Sequence, residues 1–293
     1  MHGWIILDKP LGLGSTQGVS AVKRALRQGG YGKPKVGHGG TLDPLATGVL
    51  PIAIGEATKL AGRLLDSDKV YDFTVTFGIE TDTLDLEGKP VATSDARPTL
   101  GEVEAVLPRF TGAIEQVPPA YSALKVDGER AYDLARAGEE VVLAKRDVTI
   151  HALTILGIDA GSVTLTARVS KGTYIRSLAR DIARALGTVG HVTMLRRTKA
   201  GPFDLARAIS LDKLDELAKG QRLEQYLLPL RAGLDDIPAF ALTPDQAGAL
   251  RQGRVLAGIA SDDGLSFAML DDVPVALVEV QDREVRVVRG FNL

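Results

Sequence analysis

The chain has 293 residues, 45% of them hydrophobic and 25% charged, with a formal net charge of −2. That is the balance of a soluble protein of one large domain or two smaller ones. It has no cysteine, which excludes disulfides, thiolate metal sites and cysteine catalysis, and its four histidines (His2, His38, His151, His191) are not spaced as a metal pair. No apolar run approaches the roughly 20 residues of a membrane helix, and the N-terminus carries no basic stretch or cleavage site of a secretory signal. The expectation is a cytoplasmic protein with no metal site and no membrane partner.

Gly3-Trp4-Ile5-Ile6-Leu7-Asp8 reads as a short buried strand, and Lys9 to Gly14 as a loop. Ser15 or Thr16 then caps a helix whose apolar positions Val19, Val22 and Leu26 recur every three to four residues, ending at Gly29-Gly30. The run Val36 to Pro51 sets one carboxylate, Asp43, among glycines and prolines, where no helix or strand interior would persist. Such punctuation fits an ordinary Asp-Pro turn, or a loop built to present that acid. Tyr71 to Phe77 alternates as a strand with Tyr71, Phe73, Val75 and Phe77 on one face, followed by the acidic turn Thr81-Asp82-Thr83-Leu84-Asp85. Thr99 caps a helix ending near Phe110, and Gly128 and Gly138 flank a short helical stretch around Tyr132. Ser162 to Ser170 alternates as another strand. Ile175, Leu178, Ala179, Ile182 and Leu186 then form the strongest amphipathic helix signal, with Arg176, Arg180 and Arg184 along one flank. Residues 233–238 read as a linker to a small β-rich module with strands near Val275–Val280 and Glu284–Arg289.

Charge is unevenly spread. Residues 1–40 hold six Lys/Arg against one Asp, and residues 120–200 hold thirteen against eight acids. Residues 233–293 hold five Arg against ten acids. The two basic stretches could converge on one phosphate-binding face, or be separate solvated surfaces. For chemistry, Asp43 needs a partner that orients it, and Arg176 offers a planar fork that keeps its charge. A hydrolase pairing Asp43 with Asp82 or Asp85 is the competing reading. No G-x-S-x-G elbow supports a serine hydrolase. The residues by themselves lead to an Asp-centred site beside basic surface.

Five blocks in order carry a further signal: Gly3 to Pro10; Gly37-His38-Gly39-Gly40-Thr41-Leu42-Asp43-Pro44-Leu45-Ala46-Thr47-Gly48; Lys69-Val70-Tyr71 with Thr81 to Asp85; Pro118 to Lys125; and Lys171-Gly172-Thr173-Tyr174-Ile175-Arg176. Together they resemble the bacterial TruB family of tRNA pseudouridine synthases, over about residues 3–210. The resemblance implies an isomerase that converts uridine 55 in the T arm of tRNA to pseudouridine. It implies an α/β (α+β) catalytic domain over residues 1–232, with a central mixed, mainly antiparallel sheet flanked by helices. A small PUA-like β-barrel would follow at 233–293.

By that resemblance Asp43 is the catalytic aspartate, Arg176 its salt-bridge partner, and Tyr71 stacks on the target base and is a candidate for removing the C5 proton. His38 would fill the gap left by the flipped base, Lys9 would support loop geometry, and Tyr174 would wall the pocket. The segment about 121–147 would clasp RNA through Lys125, Arg130, Arg136, Lys145 and Arg146. No cofactor or guide RNA is implied, and the family points to a monomer. Two rivals remain: an RNA-binding protein without catalysis, and a guide-RNA-dependent synthase. The latter would be expected to carry an N-terminal extension, whereas the motifs here begin at Gly3.

Overall fold

The alternating run around Tyr71 becomes the strand Lys69–Phe77, which lies inside a sheet in the computed structural model of the chain. The structure describes all residues except Ala123, Asp127, Glu140, Val142 and Ala260, and the side chains of Lys125, Val126 and Arg130. The chain forms two compact units: one of Met1–Leu42, Val49–Leu65 and Gly201–Leu293, the other of Asp43–Gly48 and Asp66–Ala200.

In the second unit the strand order is Gly112–Gln116, Arg146–Asp159, Ser162–Val169, Lys69–Phe77 and Gly190–Ala200, then the first residues of Ala46–Ile54. Every pairing is antiparallel except the last, where Leu195–Arg197 runs parallel to Ala46–Gly48. The sheet is mixed and mainly antiparallel, as expected. Its apolar face carries Phe73, Val75, Val163 and Leu165, packed against Ile175, Leu178 and Ile182 of the helix Ile175–Ala185. Each such side chain contributes about 1.5–3 kcal/mol on burial, so this contact fixes where the helix begins. Between the apolar positions, Thr74 hydrogen-bonds Thr164 and Thr76 bonds Thr193, each at 2.9 Å.

Two small attachments matter for the site. The hairpin Ile79–Thr81 with Pro90–Thr93 carries the acidic turn at its tip. The short helix Ala131–Arg136 follows the paired strands Lys125–Val126 and Glu129–Arg130.

In the first unit the buried strand Gly3–Lys9 runs parallel to Ala208–Ile209. Trp4 is fully buried, donates its indole N–H to the Leu230 carbonyl at 2.9 Å and packs on Phe203. The helix expected to be capped by Ser15 or Thr16 spans Ser15–Gln28, and its N-cap is Gly14, whose N–H is received by the Gln17 side chain. Ser15 is spent elsewhere: its hydroxyl donates to the Leu42 carbonyl at 2.9 Å and accepts the Leu42 N–H at 2.8 Å. Residues 239–290 form a five-stranded sheet of their own, with the helix Pro244–Arg251 closing its core through Ala247 and Leu250. Val273–Gln281 and Glu284–Gly290 are joined by a two-residue turn in which Asp282 and Arg283 both have positive φ, the twist such hairpins favour. This small sheet is consistent with a PUA-like module.

Candidate active site

Asp43 lies in the loop that feeds the parallel strand. Its carbonyl accepts the Ala46 N–H at 3.0 Å, closing a turn that leaves the carboxylate outward. The loop joins the sheet at Gly48, where φ is 101° and a Cβ would lie 2.2 Å from the Arg197 carbonyl. Only glycine permits that approach.

Arg176 is set by the start of the helix Ile175–Ala185. Gln116, itself buried, grips both backbone groups of Tyr174: its carbonyl oxygen accepts the Tyr174 N–H at 2.8 Å and its amide donates to the Tyr174 carbonyl at 3.1 Å. One turn on, the Ser177 hydroxyl and the Arg180 guanidinium both donate to the Val117 carbonyl. The apolar stripe of the helix meets the core, and Arg176 points along its flank into the site.

There the guanidinium is almost fully engaged. Nη2 meets Asp43 Oδ2 at 2.9 Å and donates to the Tyr121 carbonyl at 3.0 Å. Nη1 donates to the Thr83 carbonyl at 2.8 Å and lies 3.5 Å from Asp85 Oδ2. The Arg176 and Asp85 side chains are only 8% and 10% exposed, whereas that of Asp43 is 47% exposed. Asp85 is tied further: Oδ1 accepts the Thr83 hydroxyl at 2.5 Å and the Glu87 N–H at 3.0 Å. Its turn is held by Leu84, whose φ of 65° is strained for a branched side chain and whose carbonyl accepts the Val192 N–H.

Asp43, Asp82, Asp85, Tyr121, Tyr132 and Arg136 are among the residues lining a cleft of about 400 Å³. That volume is typical of a small-molecule site. The pairing of Asp43 with Asp82 or Asp85 as acid and base does not fit this arrangement. Asp85 Oδ1 accepts two donors and Oδ2 faces the Arg176 that Asp85 shares with Asp43, and Asp82 Oδ1 accepts the Lys89 N–H. One arginine holding an open and a closed carboxylate is a different device.

Comparison with known proteins gives the family of the chain. The family model of the TruB pseudouridylate synthase N-terminal domain matches residues 24–175, and that of the tRNA pseudouridylate synthase B C-terminal domain matches residues 176–235.

The chain belongs to the TruB family.

It is 70% identical to tRNA pseudouridine synthase B of Novosphingobium aromaticivorans, over 100% of this chain and 98% of the relative. It is 63% identical to the protein of the same name from Zymomonas mobilis, over 100% and 96%. Among solved structures it is similar to a chain of a Cbf5-Nop10-Gar1 complex, with a TM-score of 0.75 and 26% identity over 99% of this chain and 84% of that one. It is also similar to a chain of an H/ACA ribonucleoprotein bound to a substrate RNA containing 2'-deoxyuridine, with a TM-score of 0.74 and 26% identity over 99% and 85%. TruB enzymes are isomerases that make pseudouridine 55 in tRNA.

Of the other residues expected at a TruB site, Arg136 lines the Asp43 cleft, its guanidinium 4.3 Å from the centre of the Tyr132 ring. Tyr71 is half-buried against the sheet core. Its place follows from register: Arg197 pairs with Gly48 on one side and Tyr71 on the other. Tyr174 is half-buried under Arg146, whose guanidinium lies 5.7 Å from the ring and donates to the Gly172 carbonyl. Lys145 pairs with Glu115 at 3.1 Å on the surface. The side chains of Lys125 and Arg130 lie outside the described residues.

Lys9 and His38 belong to the other unit. Lys9 is fully buried and donates to the Pro10 and Leu13 carbonyls at 3.1 and 2.6 Å. His38 is half-buried, with the Gly40 N–H 3.4 Å from its Nδ1.

Sequence reasoning missed the second carboxylate on Arg176, the Thr83 and Gln116 supports, and the aromatic lining from Tyr121 and Tyr132. The Thr-x-Asp spacing of Thr83 and Asp85 was the one available signal, since a hydroxyl two residues from an acid often bonds it. It also missed Lys69, buried two residues before Tyr71. Desolvation, with repulsion from Arg197, pushes its ammonium down to about 8.

Among the described basic residues of 120–200, six are spent on acids of the same chain: Lys145, Arg168, Lys171, Arg176, Arg180 and Arg184. No cluster of metal-ligating side chains occurs among the described residues. Nor is any described helix long and apolar enough to cross a membrane.

Proposed function

We propose that this protein isomerises uridine 55 in the T arm of tRNA to pseudouridine, acting as a monomer without cofactor or guide RNA. The observation that carries the reading is the Asp43–Arg176 pair at 2.9 Å, with the acid half open at the mouth of a cleft and the arginine buried behind it. Family membership and the full-length match to tRNA pseudouridine synthase B proteins supply the substrate.

The reacting atoms of a uridine are shielded within stacked RNA, so the nucleotide must turn out to reach Asp43. The carboxylate then bonds either to C6 of the uracil or to C1' of the ribose. The base–sugar bond breaks, the base turns and C5 bonds to C1'; the aspartyl bond is released, the C5 proton leaves and N1 takes up a proton, so the net change is an isomerisation. Arg176 grips Oδ2 and fixes the direction of attack; a guanidinium never loses its charge and so serves through the whole cycle. Tyr71 is assigned to stack on the base and to receive the C5 proton, Tyr174 to wall the site, and His38 to fill the vacated stack. Lys125, Arg130, Arg136, Lys145 and Arg146 are assigned to the RNA clasp, where phosphate contacts position the substrate and shape selects it.

Incubation of the purified protein with unmodified tRNA and no added cofactor should yield pseudouridine in the T loop. Tritium release from C5-labelled uridine follows the rate. D43N should abolish product while tRNA affinity stays within roughly tenfold, because it removes the nucleophile and few contacts. Full turnover by D43N would discard the mechanism. Binding without turnover by the wild type would favour an RNA-binding protein instead.

A further inference from the structure

The other basic stretch, in residues 1–40, behaves differently. The helix Ser15–Gln28 contains no acidic residue, and Lys23 and Arg27 stand one turn apart on its exposed side. Beyond the helix, Gly30 and Gly32 both adopt φ of 78°, folding the chain back so that Lys33 joins them. Lys23, Leu26, Arg27, Gly32, Lys33 and Pro34 line a cleft of about 280 Å³.

This return is anchored. A Cβ on Gly29 would meet the Tyr31 ring at 2.7 Å and the Ala218 carbonyl at 2.8 Å, and the Tyr31 hydroxyl accepts the Leu223 N–H at 3.1 Å. Leu26 gives the cleft a buried apolar floor, while all three cations are exposed. Among the described residues none of the three is paired with an acid. The carbonyl end of the helix is what makes such a group of cations tolerable, since its partial negative charge offsets their repulsion. The arrangement is three unspent donors around a concavity with no acid in its lining. That suits a phosphodiester, whose oxygens take the charges and whose sugar rests on the floor.

We propose that this cleft is an anchoring site for the RNA backbone, in which Lys23, Arg27 and Lys33 hold phosphate of the tRNA separately from the Asp43 cleft. The proposal rests on tRNA being the substrate. It predicts a contribution to affinity and salt dependence that leaves chemistry untouched.

The test compares the full-length protein with K23A/R27A/K33A, with K23R/R27K/K33R, and with a charge-matched control, R63A/R109A/R251A, at exposed positions elsewhere. Binding to full-length tRNA is measured across a salt series, and pseudouridine formation at saturating tRNA.

The alanine triple should weaken binding at least about tenfold at 0.1 M salt and make the slope of log Kd against log salt shallower by about two. Its kcat should stay within about twofold, since only uniform binding is lost. The conservative triple should bind as the wild type does, which separates charge from misfolding. An unchanged Kd and slope, an equal loss in the control triple, or a collapse of kcat would overturn the proposal. A wild type that binds tRNA but forms no pseudouridine, with the alanine triple still weakened, would leave the anchor standing and fail the functional reading alone.

Discussion

Two carboxylates reach the same guanidinium and live in opposite surroundings. Asp43 sits in a glycine-rich loop and is about half exposed, whereas Asp85 sits in a strained turn, nearly buried and held by a hydroxyl and a backbone N–H. In the proposed mechanism this difference divides the work: Asp85, fixed through Oδ1 and facing Arg176 with Oδ2, orients the guanidinium, while the open Asp43 is the acid that attacks.

The strongest way to break this comparison is to remove what the two acids share. R176A should bring pseudouridine formation to background. It should also destabilise the protein by about 3–5 kcal/mol, because it strands buried acceptors and a carboxylate. Isomerisation assays and chemical denaturation check both; an active, fully stable variant would separate Arg176 from the site. Next, G48A forces a Cβ into the Arg197 carbonyl from a left-handed backbone. It should cost more than the roughly 1 kcal/mol of an ordinary substitution and lower kcat by displacing the Asp43 loop.

D85N sharpens the contrast. It keeps the shape but removes the anchoring charge, so kcat should fall about 10–100-fold, well short of D43N, with tRNA affinity kept. Equal losses in the two variants would end the distinction between reacting and anchoring acid.

The smallest effect concerns a second buried cation. The Lys69 ammonium is pushed from 10.5 down to about 8, chiefly by burial. Between those values the unfolded chain binds more protons than the folded one, so stability from this group rises as pH climbs from about 8 to 10.5. K69M lacks that rise. The thermal midpoint of the wild type relative to K69M should increase between pH 7.5 and 10, and a constant difference would show that Lys69 does not titrate in that window.

Much of this was legible from residue order. The Tyr71–Phe77 and Ser162–Val169 alternation, the stripe Ile175 to Ile182 and the Asp43 motif each follow from local patterns that tertiary structure then keeps. What hid was long-range. The strand Gly190–Ala200 carries Arg196, Arg197 and Lys199, a composition that reads as surface, yet Arg197 is almost wholly buried. Asp85 looked like a rival acid because nothing local says that Arg176, far along the chain, will take it. Ser15 looked like a helix cap because its bond to Leu42 joins residues 27 apart. The arginines Arg176, Arg180 and Arg184, legible only as a helix flank, are each engaged by an acid of this chain.

Gln116 carries one last implication. The clasp that registers the arginine-bearing helix is a neutral carboxamide gripping backbone, with no titrating group and no net charge to be screened. Ionic strength can therefore govern how firmly a polyanion is captured without moving the start of the arginine-bearing helix. An enzyme wired this way should show salt inhibition in substrate capture while its turnover at saturation holds steady.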